Sequence, residues 1–174
     1  RIRMRRAHRA GVRAIVTSGV APGDWPGALK IADEITSAQV APSVFAALGL
    51  HPYAVSSDRE RNRDALARLE SMLETRATSQ ELQARWVALG ECGLDFRKNM
   101  PFASKETQLE ALSAQLELAR RFRMPLVLHC VRAHGPLCEL LDDAIEPSVM
   151  HAFSGSAEIA ERLAEVHAAR VGDH

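Results

Sequence analysis

The amino-acid sequence predicts an α/β fold in which parallel strands alternate with helical crossovers, and three observations carry that expectation. Residues 44–51 (V-F-A-A-L-G-L-H), 86–91 (W-V-A-L-G-E), 126–129 (L-V-L-H) and 149–151 (V-M-H) are short apolar runs, of the kind that parallel strands buried on both faces produce. Between them lie stretches whose apolar residues recur at helical spacing, so strand and helix follow one another regularly. Each run also ends on an ionisable residue: His51, Glu91, His129 and His151. Burial explains the apolar residues but not a charged or polar last position. The carboxyl ends of successive parallel strands are where such folds gather their chemistry, so the four ends predict one shared site.

Taken in order, R-I-R-M-R-R-A-H-R-A reads as the end of an amphipathic helix closed by Gly11, because glycine accepts the left-handed conformation of a helix C-terminus. A chain opening in mid-helix is expected to be cut. The β-branched run 12–19 predicts the first strand. Asp24 is placed to cap the helix carrying Ala28, Leu29, Ala32 and Ile35, which stops before Pro42. After 44–51 and the turn at Pro52, Asp58 is placed to cap a helix with Leu66, Leu69 and Leu73 on one face. A polar stretch, 75–84, leads to the strand at Trp86, and C-G-L-D-F-R-K-N-M-P after Glu91 is expected to be a loop.

Ser104 then caps a helix whose Leu109, Leu112, Leu116 and Ala119 share a face. Arg120, Arg121 and Arg123 near its end complement the helix dipole, which explains them better than a nucleic-acid patch does. Pro125 opens the strand to His129; Leu137, Leu140, Leu141 and Ala144 mark the helix after it. A short strand over 148–151 and a helix with Ile159, Leu163 and Val166 on one face follow. His8 and His167 fall on helices as surface residues, His134 begins a helix as a cap or at the mouth of the site near His129, and His174 is terminal.

The 174 residues are enough for one domain, residues 1–174, with a sizeable core. Lys plus Arg number 22 and Asp plus Glu number 22, so no global field recruits nucleic acid or an anionic membrane, and such a partner must be held locally. The three cysteines, Cys92, Cys130 and Cys138, form neither a paired framework nor a C-x-x-C pattern, which favours a reducing, cytoplasmic setting. No stretch approaches the roughly 20 apolar residues of a membrane span, and the charged N-terminus has no apolar core of a signal peptide.

Length alone favours an open doubly wound sheet over a (β/α)₈ barrel of about 250 residues. The site residues argue the other way. The first strand-to-helix turn, T-S-G-V-A-P-G-D, carries neither G-x-G-x-x-G nor a phosphate-loop lysine. A ring of His and Glu on several strands needs barrel closure to bring all the ends to one axis. If Glu91 and His129 face the interior, alternation turns Cys92 and Cys130 toward the helices as packing residues. Imidazole with carboxylate suits Zn²⁺, Mn²⁺ or Fe, and a bridging Glu allows a two-metal site. His51, before Pro52, is the weakest of the four as a ligand and can contact substrate instead.

Five ordered motifs then resemble one known family. G-L-H-P at 49–52, G-E-C-G-L-D-F at 90–96, Q-L-E-L-A at 115–119, P-L-V-L-H-C at 125–130 and H-A-F-S-G-S at 151–156 are similar in order and spacing to the TatD family of metal-dependent deoxyribonucleases, within the amidohydrolase-like barrels. The resemblance implies a TIM-type (β/α)₈ barrel, here incomplete, covering about strands 2 to 6. It implies two divalent ions (Mg, Mn or Zn) with Glu91 bridging them and His129 and His151 as ligands of one. It implies phosphodiester hydrolysis from a 3′ end, with single-stranded DNA or other nucleic acid as substrate. Arg132 is the candidate for phosphate binding, although many relatives carry that Arg one residue earlier, and Asp95 is a candidate to orient the loop or a ligand.

The family also begins on a strand with H-x-H and carries a late Asp ligand, often in T-D-x-P; this sequence starts after the first and ends at V-G-D-H. Asp173, terminal and off any expected strand, is a poor substitute. On the resemblance, strands one, seven and eight lie outside these residues, so the chain is expected to be part of a longer molecule or to need a partner chain. Two other readings stay open: a barrel hydrolase acting on an amide, lactone or phosphotriester, and a non-catalytic remnant serving as an assembly subunit.

Overall fold

A computed structural model describes residues 2–38, 42–98, 100–141 and 146–171, without the side chains of 2, 3 and 166–171. Ala144, Asp173, His174 and the side chains of Val166 and His167 therefore lie outside the described residues. Helix α1 (Ile2–Arg9) leads through Gly11, at φ +92°, into β1 (Ala14–Gly19). There follow α2 (Trp25–Ser37), β2 (Ser43–Leu48), α3 (Arg59–Thr78), α4 (Gln80–Arg85), β3 (Trp86–Asp95), α5 (Lys105–Phe122), β4 (Leu126–Val131), α6 (His134–Leu141), β5 (Ser148–Met150) and α7 (Ala157–Val171). The five strands are all parallel and lie in the order β1-β2-β3-β4-β5. A doubly wound sheet reverses its strand order at a switch point. This sheet adds each new strand on the same side, which is how a TIM-type barrel is wound.

Four local expectations are corrected. Asp24 precedes α2 but makes no side-chain cap bond; Pro26, whose fixed φ suits a first turn, opens that helix instead. Asp58 and Ser104 do cap, accepting from Glu60 N at 2.9 Å and Thr107 N at 3.2 Å. The stretch 75–84 is helical: α3 runs on to Thr78, and Ser79, itself extended, caps α4 by accepting from Leu82 N. β3 is longer than its apolar run, because C-G-L-D continues the ladder to Asp95 rather than forming a loop. Finally, β2 stops at Leu48, β4 continues past His129 to Val131, and His151 lies in the turn after β5. The ionisable residues thus stand near the strand ends, not all at the last strand position.

The core lies between the sheet and its helices. Trp25, Ala28 and Ala32 of α2, Leu69 and Leu73 of α3, and Leu112, Leu116 and Ala119 of α5 bury against Val44, Leu48, Leu89, Leu94, Leu126 and Leu128. A smaller apolar cluster of Leu50, Val55, Ala103 and Ala111 sits under the loops after β2 and β3. The outermost strands of the described sheet carry exposed valines, Val16 at 48 % and Val149 at 65 %. No described helix is long and apolar enough to cross a membrane.

Candidate metal centre

Glu91 owes its place to a defect in β3. The β3–β4 register pairs Gly90 with Val127 and Cys92 with Leu128, so Glu91 is the extra residue at a bulge. A bulge is the standard way for a strand to re-aim one side chain. The glycines on either side make it feasible: Gly90 at φ +131° and Gly93 at φ +147° occupy backbone that L side chains rarely adopt. A Cβ on Gly90 would also run into Val127 O, and one on Gly93 into His129 O. The Gly90–Glu91 peptide is cis. Cys92, turned to the other side, is fully buried, and burial pushes its thiol up to about 12.

β4 delivers His129 against this bulge. Its Nδ1 lies 3.0 Å from Glu91 Oε1 and its Nε2 lies 3.2 Å from Asp95 Oδ2. Ionised carboxylates only accept, so a ring flanked by two of them is held with both nitrogens protonated. The bond to Glu91 raises the His129 pKa, burial opposes it, and Asp95 adds to the rise. Conversely, the bonds from His129 and then His51 hold Glu91 far below the usual carboxylate range despite burial, and the charges of His51 and His151 add to this. Burial pushes Asp95 up, but hydrogen bonds from Arg97 and His129 outweigh it and leave it lowered. Arg97 forks onto Asp95, Nε to Oδ1 at 2.9 Å and Nη2 to Oδ2 at 2.6 Å, with its guanidinium 5.6 Å from the Phe102 ring centre.

His51 enters from the loop after β2, as the cap of a short 3₁₀ turn, Pro52–Ala54. Its Nδ1 accepts from Tyr53 N at 3.2 Å. In a neutral ring the proton is then on Nε2, which stands 3.6 Å from Glu91 Oε1. Its ring meets that of His129 edge-on, centres 4.3 Å apart. Among the described residues, His51, Glu91 and His129 form one group whose ligand atoms lie within 4.8 Å of one another.

The structure therefore brings together four of the residues singled out in the sequence: His51, Glu91, Asp95 and His129. It does not bring His151 or Arg132 into that cluster. Both are exposed; His151 is tied down through its backbone N to Leu128 O at 2.8 Å, and Arg132 follows β4 at φ +54°. His134 begins α6, its ring stacked edge-on to Phe153 and its Nε2 without a hydrogen-bond partner among the described residues. Sequence reasoning gave no role to Arg97 or Gln108, and named Gln115 only as the first residue of the Q-L-E-L-A stretch. The glutamines had a signal: they fall at helical spacing on the same buried stripe as Ala111 and Leu112, where an unexplained polar residue needs a partner.

As a donor set, one ionised carboxylate and one imidazole with carboxylate support fit Mg²⁺, Mn²⁺ or Zn²⁺. Glu91 and His129 can ligate once a proton leaves the His129 ring. His51, with Nδ1 already accepting, offers an N–H donor from the same side rather than a lone pair.

A sequentially wound parallel α/β sheet with a carboxylate–imidazole cluster near its carboxyl edge defines a TIM-type barrel arrangement with a candidate metal centre. The family model for TatD related DNases matches residues 2–169, and the chain belongs to that family. It is 31 % identical over 156 residues to the 3′-5′ ssDNA/RNA exonuclease TatD of Salmonella typhimurium, covering 88 % of this chain and 53 % of that protein. It is 33 % identical over 166 residues to the metal-dependent hydrolase YjjV of Escherichia coli, covering 94 % and 57 %. The crystal structure of YjjV superposes with a TM-score of 0.76 over 94 % of this chain and 57 % of that one. At 18 % identity, an amidohydrolase from Saccharomyces cerevisiae shares the fold, with a TM-score of 0.78 over 95 % and 57 % of the two chains. The chain spans about half the length of the curated relatives it matches.

Proposed function

We propose that these residues are the central part of a metal-dependent phosphodiesterase that removes nucleotides from the 3′ end of single-stranded nucleic acid. The observation that carries this reading is the His51–Glu91–His129 group, built on a strand bulge and braced by Asp95. Family membership supports it, and the Salmonella relative's exonuclease activity indicates the substrate class. Two divalent ions would be held by Glu91, His129 and His151, the last exposed after β5 but near enough for its charge to act on Glu91. Such ions polarise a phosphoryl oxygen and lower the pKa of a bound water.

The chain's own residues have distinct parts. Glu91 is held ionised by its imidazole neighbours, so it is ready as an anionic ligand. Asp95 accepts from His129 Nε2 and fixes the ring so that Nδ1 faces Glu91. His51 Nε2–H is placed to donate to a substrate oxygen beside Glu91. Of the two arginines, Arg97 is anchored at the cluster by Asp95 and we assign it the first phosphate contact; Arg132, just past the end of β4, is proposed as a second. A locally held cation and metal-captured phosphate answer how a chain with balanced charge grips an anion.

The test is degradation of 3′-labelled single-stranded DNA by the natural full-length protein with Mg²⁺ or Mn²⁺. Glu91→Ala is expected to remove cleavage to background; cleavage at the wild-type rate in that variant overturns the reading.

A further inference from the structure

Two buried side chains of α5 take no part in the metal reading, yet both reach the residues that build the centre. Gln115 is 1 % exposed; its Oε1 accepts from Leu50 N at 2.7 Å, and its Nε2 donates to Leu50 O and Ala111 O, both at 3.1 Å. Gln108 is 2 % exposed; its Oε1 accepts from Asp95 N at 2.8 Å, and its Nε2 donates to Asp95 O at 3.1 Å and Ala103 O at 3.0 Å. Each amide thus grips both backbone polar groups of a single residue. Those residues are Leu50, next to His51, and Asp95, the partner of His129.

The two positions share a chemical need. Leu50 lies beyond the end of β2 and Asp95 is the last residue of β3, where the ladder no longer supplies partners for buried peptide groups. A carboxamide at this reach offers a donor and an acceptor side by side. Gln108 and Gln115 stand about two turns apart on one stripe of a single rigid helix. The loop carrying His51 is already held from the β1 side, by Gly49 N to Gly19 O, His51 N to Val20 O and Trp25 Nε1 to Gly49 O. Gln115 holds the same loop from the opposite side.

We infer that Gln108 and Gln115 are positioning residues: α5 is the ruler that sets the spacing between His51 and the Asp95–His129 pair. This deepens the metal reading and rests on it. Gln108 acts through Asp95 on His129, and Gln115 acts through His51 Nε2, 3.6 Å from Glu91 Oε1, on Glu91; a shift of a few tenths of an ångström at either ligand is enough to weaken a centre of this kind, so the affinity of the site follows two side chains that touch neither metal nor substrate.

The test compares Gln115→Met and Gln108→Met with Leu112→Ala in the natural full-length protein. Leu112 is fully buried on the same helix and grips no site residue, so its variant reports lost stability alone. Mn²⁺ affinity, read by calorimetry, is expected to fall about tenfold or more in each Gln→Met variant, as for other residues that brace a ligand, and to stay within about twofold in Leu112→Ala. Gln115→Glu keeps the acceptor for Leu50 N and, with its buried carboxyl protonated, a donor for Leu50 O, so it is expected to fall between wild type and Gln115→Met and serves if the Met variants do not fold. Folded Gln→Met variants that bind Mn²⁺ like wild type overturn the inference. So does an equal loss of affinity in Leu112→Ala. If the wild type itself binds no Mn²⁺, the metal reading fails instead, and the ring ¹⁵N shifts of His51 and His129 in metal-free protein then decide. Shifts displaced in Gln115→Met and Gln108→Met uphold the ruler, and unmoved shifts overturn it.

Discussion

Arg97 is the residue whose role is least visible in the sequence and plainest in space. Its fork onto Asp95 puts a guanidinium two hydrogen bonds from the His129 ring, with its outer face 43 % exposed. A charge-assisted bond to a phosphate contributes about 1.5–3 kcal/mol. Arg97→Ala is therefore expected to raise KM for a single-stranded oligonucleotide about tenfold or more with a smaller change in kcat; an unchanged KM in steady-state kinetics would remove Arg97 from the substrate contacts. The cysteines give the opposite case. Burial pushes the Cys92 thiol up to about 12 and the Cys130 thiol up to about 11, and Cys138 is buried as well. The nucleophile toward a disulfide reagent is the thiolate, so native protein at about pH 8 is expected to leave all three unlabelled, while denatured protein gives three equivalents. Rapid labelling of native protein would contradict the packing role that strand alternation assigns to Cys92 and Cys130.

At the scale of elements, β3 decides the site. Periodicity found its apolar half, 86–90, and stopped at Glu91 because a carboxylate inside a buried strand looks like an end. A bulge has no periodic signal, since it consists of a break in period, and the glycines that permit it look like loop residues. Gly93→Ala tests that account. The substitution strains a φ of +147° and drives a Cβ into His129 O, a combination expected to cost about 3 kcal/mol or more. Thermal unfolding should show it as a large fall in Tm, and an unchanged Tm would mean that β3 and β4 can separate here without penalty. The helices were easier to read, because caps and apolar stripes are local: Asp58 and Ser104 cap as their positions suggest. Asp24 did not, since Pro26 already organises the first turn, and 75–84 hid two helices because a polar surface helix lacks the apolar stripe that marks one. His51 reaches the cluster for a related reason: two residues of loop, Gly49 and Leu50, separate β2 from it, and loop geometry, not strand parity, aims its ring at Glu91.

At the scale of the whole molecule, winding order was legible because it needs only the sequence of elements, whereas the centre depends on three separate strand ends meeting. That meeting couples metal, protons and stability. The bond between His129 and Glu91 raises the imidazole from its usual 6.5 and depresses the carboxyl from its usual 4.5. A raised imidazole contributes stability that is full below the unfolded value and is lost as pH rises through the folded one. A depressed carboxyl contributes stability present above its unfolded value and lost as pH falls through its folded one. The two describe one interaction, so without metal its contribution is complete between the two usual values, 4.5 and 6.5, and fades on the alkaline side as His129 loses its proton. A divalent ion held by Glu91 and His129, as proposed, would reverse that trend, because it would compete with the same proton for the same ring nitrogen and bind more tightly as the proton leaves. Ligand binding to the folded state raises Tm with affinity. In chelator, Tm is thus expected to decline from about pH 6 to 9, and the gap between Mn²⁺-saturated and chelated protein is expected to widen over the same range. Glu91→Gln should flatten the chelated curve and close most of the gap. A gap that stays constant with pH in scanning calorimetry would mean that the ion, wherever it binds, does not displace the His129 proton.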